Sequence, residues 1–175
     1  TIDGTLEIPN FLDNDGSPGG KLLFDSAGNP SLNPEHPMYD AAFRCVIPNE
    51  VSAPVPALLY GHGLLGSRSQ VDFFGAFAGQ GTIGACAVDW LGMATEDVAN
   101  LAGILSDMSR FNEQADRMLQ GIIAFQMLGR LTNSPMGFVS HPAFQNDDGS
   151  PILKADATVF VATFSTRGLP LAALA

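Results

Sequence analysis

The chain has little positive charge. Eight Lys and Arg stand against 18 Asp and Glu in 175 residues, a net charge of −10 at pH 7. No basic cluster interrupts that balance, and a surface of this sign repels phosphate backbones, so no nucleic-acid partner is expected. Charged residues of either sign are only 15% of the chain while hydrophobic residues are 46%, which excludes wholesale disorder and leaves enough apolar material for a sizeable core. No apolar run reaches the roughly 18–20 residues that span a bilayer, so no transmembrane segment is expected. Cysteine is scarce: Cys45 and Cys86 each sit in an apolar, strand-like stretch. They read as two buried thiols, because free Cys behaves as a small hydrophobe. A disulfide is the alternative, but two cysteines define no framework. The sequence opens on Thr1 with neither a Met nor a basic-then-apolar leader, which reads as a removed targeting segment or a fragment.

The order of elements reads as one α/β domain over residues 1–175, part of a larger unit, with a strand-and-turn region over 1–50 and an alternating β/α core over 51–175. In the first region Leu6–Leu12, Lys21–Asp25 and Ala42–Ile47 have strand character, separated by Asp-, Asn-, Gly- and Pro-rich turns. The stretch Ser52-Ala53-Pro54-Val55-Pro56 is an extended lead-in. Strands are then predicted over Ala57–Tyr60, Thr82–Trp90 and Ala157–Ala162. Helices are predicted over Ser69–Ala78, Asp97–Met108 and Phe111–Leu131. Ser67 with Gln70, or Ser69 with Asp72, offers a capping box. In the last helix Phe111, Ala115, Met118, Ile122 and Phe125 keep the spacing of a buried face. This alternation implies a mostly parallel sheet covered by helices. The Asp-Gly-Ser-Pro tetrapeptide at Asp15–Pro18 and Asp148–Pro151 shows no surrounding period and reads as two similar turns. Asp13-Asn14-Asp15-Gly16 has the opening spacing of a calcium loop, but Phe24 stands where the twelfth-position Glu belongs, so a turn is favoured and no metal site is expected.

The chemistry concentrates in Gly61-His62-Gly63-Leu64-Leu65-Gly66-Ser67, between a buried strand and a helix start. Glycines there let backbone approach a ligand, and N–H groups are free to bind negative charge. One mechanism is an oxyanion hole, with the Leu64 N–H as a donor and His62, Gly63 and Gly66 shaping the loop. The other is a dinucleotide-binding turn: Gly61-x-Gly63-x-x-Gly66 matches that spacing, and Asp89 follows at the end of the next strand. Against it, the first third of the chain precedes the motif and the helix start falls beyond the third glycine. A purely structural turn is the third reading. His62 is read as holding the loop by hydrogen bonds, His36 and His141 as surface loop residues before Pro, Asp89 as a strand-end turn and Asp97 as a helix-start charge.

The runs Gly61–Gly66, Val88-Asp89-Trp90-Leu91-Gly92-Met93 and Arg117-Met118-Leu119-Gln120-Gly121 together resemble bacterial α/β-hydrolase proteins of the esterase/lipase-like kind, over about Phe43 to Phe160. The resemblance implies a Ser-His-acid hydrolase acting on a small-molecule or lipid ester, with no metal or organic cofactor, in an extracytoplasmic (periplasmic or secreted) setting. It places Ser165 at the nucleophile position and the N–H of Thr166 beside Leu64 as the second oxyanion donor. The chain departs from that pattern at Thr163 and Arg167, where the nucleophile turn calls for glycine, and no His, Asp or Glu follows Ser165. Two outcomes are open on this fold: an acyl hydrolase with little activity as given, or a non-catalytic binding remnant.

Overall fold

The computed structural model describes residues 1–156 and the backbone of 160–163. Five strands form one sheet in the order β1-β2-β4-β3-β5: β1 Ile2–Pro9, β2 Met38–Val46, β3 Ala57–Gly61, β4 Gly84–Val88 and β5 Phe160–Thr163. The chain is thus of α/β class, but its sheet is mixed rather than mostly parallel. β2 runs antiparallel to both β1 and β4, while β3 runs parallel to β4 and β5. The cause lies in residues 10–37, an irregular excursion that returns the chain beside β1 in the opposite direction. The three expected strands of the core are neighbours and mutually parallel, as their alternation with helices predicts; of the expected Ala157–Ala162 run, residues 157–159 lie outside the described residues.

Each strand follows from its side chains. In β1 the buried residues Leu6 and Ile8 alternate with exposed ones, the period of a half-buried strand. Every residue of β4 is buried, as suits a central strand covered on both faces. The expected strand at Lys21–Asp25 does not form. It contributes only isolated bridges, Leu12 to Leu22 and Phe24 to Pro30, because the turns around it leave no partner of strand length. Cys45 and Cys86 lie directly opposite each other on β2 and β4 and are joined in a disulfide, correcting the reading of two free thiols. Both are fully buried.

Two layers cover the sheet. On one face a helical stretch, 3₁₀ over Arg68–Phe74 and then α1 Gly75–Gly79, packs Val71, Phe74 and Ala78 against Val46, Tyr60, Ala85 and Ala87. On the other, α3 Phe111–Asn133 lays Ala124, Phe125 and Leu128 over Leu6, Ile8, Phe43 and Leu59. Between them in sequence, α2 Val98–Ser106 forms within the predicted 97–108 span. No helix among the described residues is long and apolar enough to cross a membrane.

The buried face of α3 is not the one that its apolar spacing picks out. Of Phe111, Ala115, Met118, Ile122 and Phe125, only Phe125 is buried, and Phe111 is 53% exposed. The N-terminal half of the helix buries polar side chains instead: Glu113, Gln114, Arg117 and Gln120. Two of them, Arg117 and Gln120, dock the 10–37 excursion by side-chain-to-backbone bonds, with the half-buried Asp116 beside them. Gln120 accepts from the Phe11 N–H at 3.1 Å and donates to Pro9 O at 2.8 Å, and Asp116 accepts from the Leu22 N–H at 3.1 Å. Each such bond contributes about 0.5–1.5 kcal/mol.

The excursion is also fastened from within by two buried amides. Asn10 donates to Asn14 O and His36 O and accepts from the Leu12 N–H. Asn33 donates to Leu12 O and Asn14 O and accepts from the Glu35 and His36 N–H groups. Gly16, at φ +92°, passes under the Tyr39 ring so closely that a Cβ would sit 2.2 Å from it.

Candidate functional site

The carboxyl end of β3 runs into the glycine-rich loop, and the loop is laced to the segment that follows β4. The Gly63 N–H donates to Gln70 Oε1 at 3.0 Å, the Leu65 N–H to Met93 O at 2.8 Å and the Gly66 N–H to Gly63 O at 2.9 Å. Gly66 and Ala94 form a parallel bridge, with the Thr95 N–H donating to Gly66 O at 2.8 Å and Thr95 Oγ1 donating to Leu65 O and Gly66 O. Of the four consecutive N–H groups from Gly63 to Gly66, that of Leu64 alone has no acceptor among the described residues. Leu64 lies in a turn, not in a helix, and is 71% exposed. Its neighbour Leu65 has φ +57°, a left-handed conformation that costs a non-glycine residue energy and that surrounding contacts must hold.

His62 holds the loop, as its place in the motif predicts. It is 6% exposed. Its Nε2 accepts from the Trp90 N–H at 2.7 Å, so Nδ1 carries the proton and donates to Gly63 O at 2.8 Å. With both ring nitrogens committed, the imidazole has no lone pair to act as a base. His36 and His141 are exposed loop residues, as expected; His141 Nδ1 accepts from the Ala143 N–H at 3.2 Å.

Asp89 directly follows the end of β4, and its carboxylate also reaches back to the start of the preceding helical stretch, Arg68–Phe74. It accepts from the Arg68 N–H at 2.6 Å and pairs with the Arg68 guanidinium. The capping boxes expected at Ser67 and Ser69 are not made. The Ser67 and Ser69 hydroxyls bond each other at 2.7 Å, Gln70 is taken by Gly63, and Asp72 pairs with Arg44. A carboxylate at a helix N-terminus satisfies an orphan N–H at lower cost than a hydroxyl and complements the dipole.

Asp97 is at a helix start, yet it is 1% exposed and does more than carry charge there. One oxygen accepts from the Ala94 N–H at 2.9 Å and the other from Arg117 Nε at 2.5 Å. Arg117 also donates to Gly16 O and to Glu96. Burial pushes the Glu96 carboxyl above the ordinary carboxylate range, against the pull of Arg117. Spacing marks neither Arg117 nor Gln70 as a site residue; the first enters the sequence reading only within the run Arg117–Gly121 and the second only as a capping-box partner.

Other motifs settle as turns. Asp13, Asn14 and Asp15 spend side-chain oxygens on the N–H groups of Lys21, Gly16 and Ser17. The two Asp-Gly-Ser-Pro turns match in detail: Asp15 accepts from the Ser17 N–H and Asp148 from the Ser150 N–H, with Gly16 and Gly149 both left-handed. No cluster of three or more His, Cys, Asp or Glu able to hold a metal occurs among the described residues. A surface cavity of ≈ 530 Å³ lined by Glu50, Val51, Ser52, Asn146, Asp147 and Asp148 lies by the lead-in to β3 and holds none of the loop residues.

The structure therefore brings together His62, Gly63, Leu64 and Gly66 at the end of β3, beside β5. Ser165 and Thr166 lie outside the described residues; the described part of β5 ends at Thr163, opposite Gly61. Comparison with protein families, with curated proteins and with solved structures finds no match for this chain.

Proposed function

We propose that this chain carries the oxyanion half of a serine acyl-hydrolase site of the α/β-hydrolase type, directed at an ester. The observation that carries the reading is the Leu64 N–H, the one N–H from Gly63 to Gly66 without an acceptor among the described residues. Such a fixed N–H stabilises the charge that develops on a carbonyl oxygen under attack, worth roughly 3–4 kcal/mol per donor. Its position supports the same reading: the loop follows the third strand, and the chain leaving the fifth, adjacent and parallel strand leads to Ser165. In that scheme Ser165 Oγ attacks the acyl carbon, the carbonyl oxygen turns towards the Leu64 and Thr166 N–H groups, the bond to the alcohol oxygen breaks as the serine proton passes through solvent to the departing alkoxide, and water then hydrolyses the acyl-serine. His62 does not take the serine proton, since its nitrogens serve the loop, and no other residue described here is placed to do so. Turnover by this chain is therefore low.

The dinucleotide reading of the same glycines has less support. Asp89, which would hold ribose hydroxyls, is occupied by Arg68, and the Gly66 N–H is spent inside the loop. An oxidising, extracytoplasmic setting agrees with the Cys45–Cys86 disulfide, since such bonds persist where thiols are not kept reduced.

The test is covalent labelling with an aryl fluorophosphonate, read by mass spectrometry, beside an aryl-ester assay. Slow labelling at Ser165, lost in Ser165→Ala and in Leu64→Pro, is the expected result. A rise in melting temperature with NAD and none with the phosphonate would move the assignment to dinucleotide binding.

A further inference from the structure

We propose that Arg117, acting through Asp97, is the positioning residue for the Leu64 N–H, so that the aim of the donor loop is set from helix α3. The purpose of that aim rests on the acyl-hydrolase reading; the coupling itself does not.

The path is short and continuous. Arg117 is 1% exposed, and its guanidinium bonds Asp97 through Nε, Gly16 O through Nη1 and Glu96 through Nη2. A buried guanidinium is tolerated only when its donors are met, so this node has one arrangement rather than several. Asp97 passes that arrangement on, since its second oxygen fixes the Ala94 N–H. Ala94 faces Gly66, and the residues on either side of it supply the bonds that orient the donor loop: Met93 O to the Leu65 N–H, and the Thr95 N–H and hydroxyl to Gly66 O and Leu65 O. On the other side of Leu64 the loop is held at Gly63 by His62 and Gln70. The Leu64 side chain is exposed, and the loop's own turn bond is Gly66 N–H to Gly63 O. Leu65 must also be kept in its left-handed conformation. The Leu64 peptide is one residue from that clamp, whereas Arg117 sits on a 23-residue helix packed on the sheet.

The experiment is amide hydrogen exchange on the full chain, read by NMR, in Asp97→Asn and Arg117→Lys. Lysine keeps the charge but cannot make the three-way fork. Both variants should speed exchange of the Leu65, Gly66 and Thr95 amides about tenfold or more relative to those of β4, the mark of local opening. The chain has a single Trp, and its backbone N–H is bonded to His62, so quenching of Trp90 fluorescence by acrylamide should rise in parallel. Should either variant fail to fold, Glu96→Ala decides the matter: it alters an exposed residue and frees only one arm of the Arg117 fork, and it should speed exchange at Leu65 and Gly66 severalfold with the melting temperature nearly unmoved. Unchanged loop exchange in a folded variant overturns the proposal. So does a rise spread evenly over loop and β4, which is simple loss of stability. Because amides are read and not turnover, a chain inert towards esters leaves this result standing, and failure of Ser165 labelling is separate from failure of the coupling.

Discussion

Two irregular regions hang from the same sheet and are built on opposite terms. The 10–37 excursion is fastened by buried amides, Asn10 and Asn33, whose donors and acceptors are spent on its own backbone, and by the polar side of α3. The Gly61–Ser67 loop has no buried amide of its own. It borrows its order from a neighbouring loop, holds Leu65 in a left-handed conformation and leaves the Leu64 N–H without an acceptor among the described residues. The first region directs its polar groups to stability. The second has fewer groups of its own to hold it and carries a strained residue.

The largest effect should fall on what the two regions share. Replacing Cys45 and Cys86 together by Ala removes a cross-link between residues 41 apart, and should lower unfolding free energy by about 2–5 kcal/mol in urea titrations. Next comes Asn33→Ala, which leaves the Leu12 carbonyl and the Glu35 and His36 N–H groups without this partner; about 1–3 kcal/mol should be lost. A loss of only a few tenths would erase the contrast, because the excursion would then be held no better than the loop. His62→Phe should cost less, about 1–2 kcal/mol for the buried Trp90 N–H left without its acceptor, and should shift Trp90 emission to the red.

The smallest effect is in pH. The Arg110 fork holds the Glu113 carboxyl below its ordinary range. In the unfolded chain the group titrates normally, so its contribution is complete above that ordinary value and is lost as pH falls through the lowered one. Glu113→Gln should flatten the acid side of the stability profile there, removing the small contribution at neutral pH and leaving stability below the lowered value nearly unchanged.

Much of the core was legible because strands and helices bury residues at different periods. Gly84–Val88 falls within its predicted span, Ala57–Gly61 and α3 run one and two residues past theirs, and the Gly-His-Gly run marked the loop by its freedom of backbone. What stayed hidden depends on partners far along the chain. The face of α3 could not be chosen by spacing, since its polar side faces an excursion about a hundred residues earlier. The cap supplied to Arg68 by Asp89 comes from the next strand, and local motifs pointed instead to Ser67 and Ser69. Two cysteines could not announce a disulfide until β2 and β4 were known to be neighbours. The nucleophile position, Ser165, rests on the resemblance alone.

The order of the strands has a consequence for synthesis. β3 pairs with β4 on one side soon after it is made, but its other edge waits for β5, Leu58 pairing with Phe160 about a hundred residues later. At roughly 5–20 residues per second, the ribosome needs on the order of 5–20 s to deliver that strand. Through that interval Leu58, Leu59 and Tyr60 present an open, apolar parallel edge, the surface on which one nascent chain pairs with another. The yield of native protein should therefore depend on how crowded the translating polysome is, and on whether a holding chaperone reaches β3 before a neighbouring chain does.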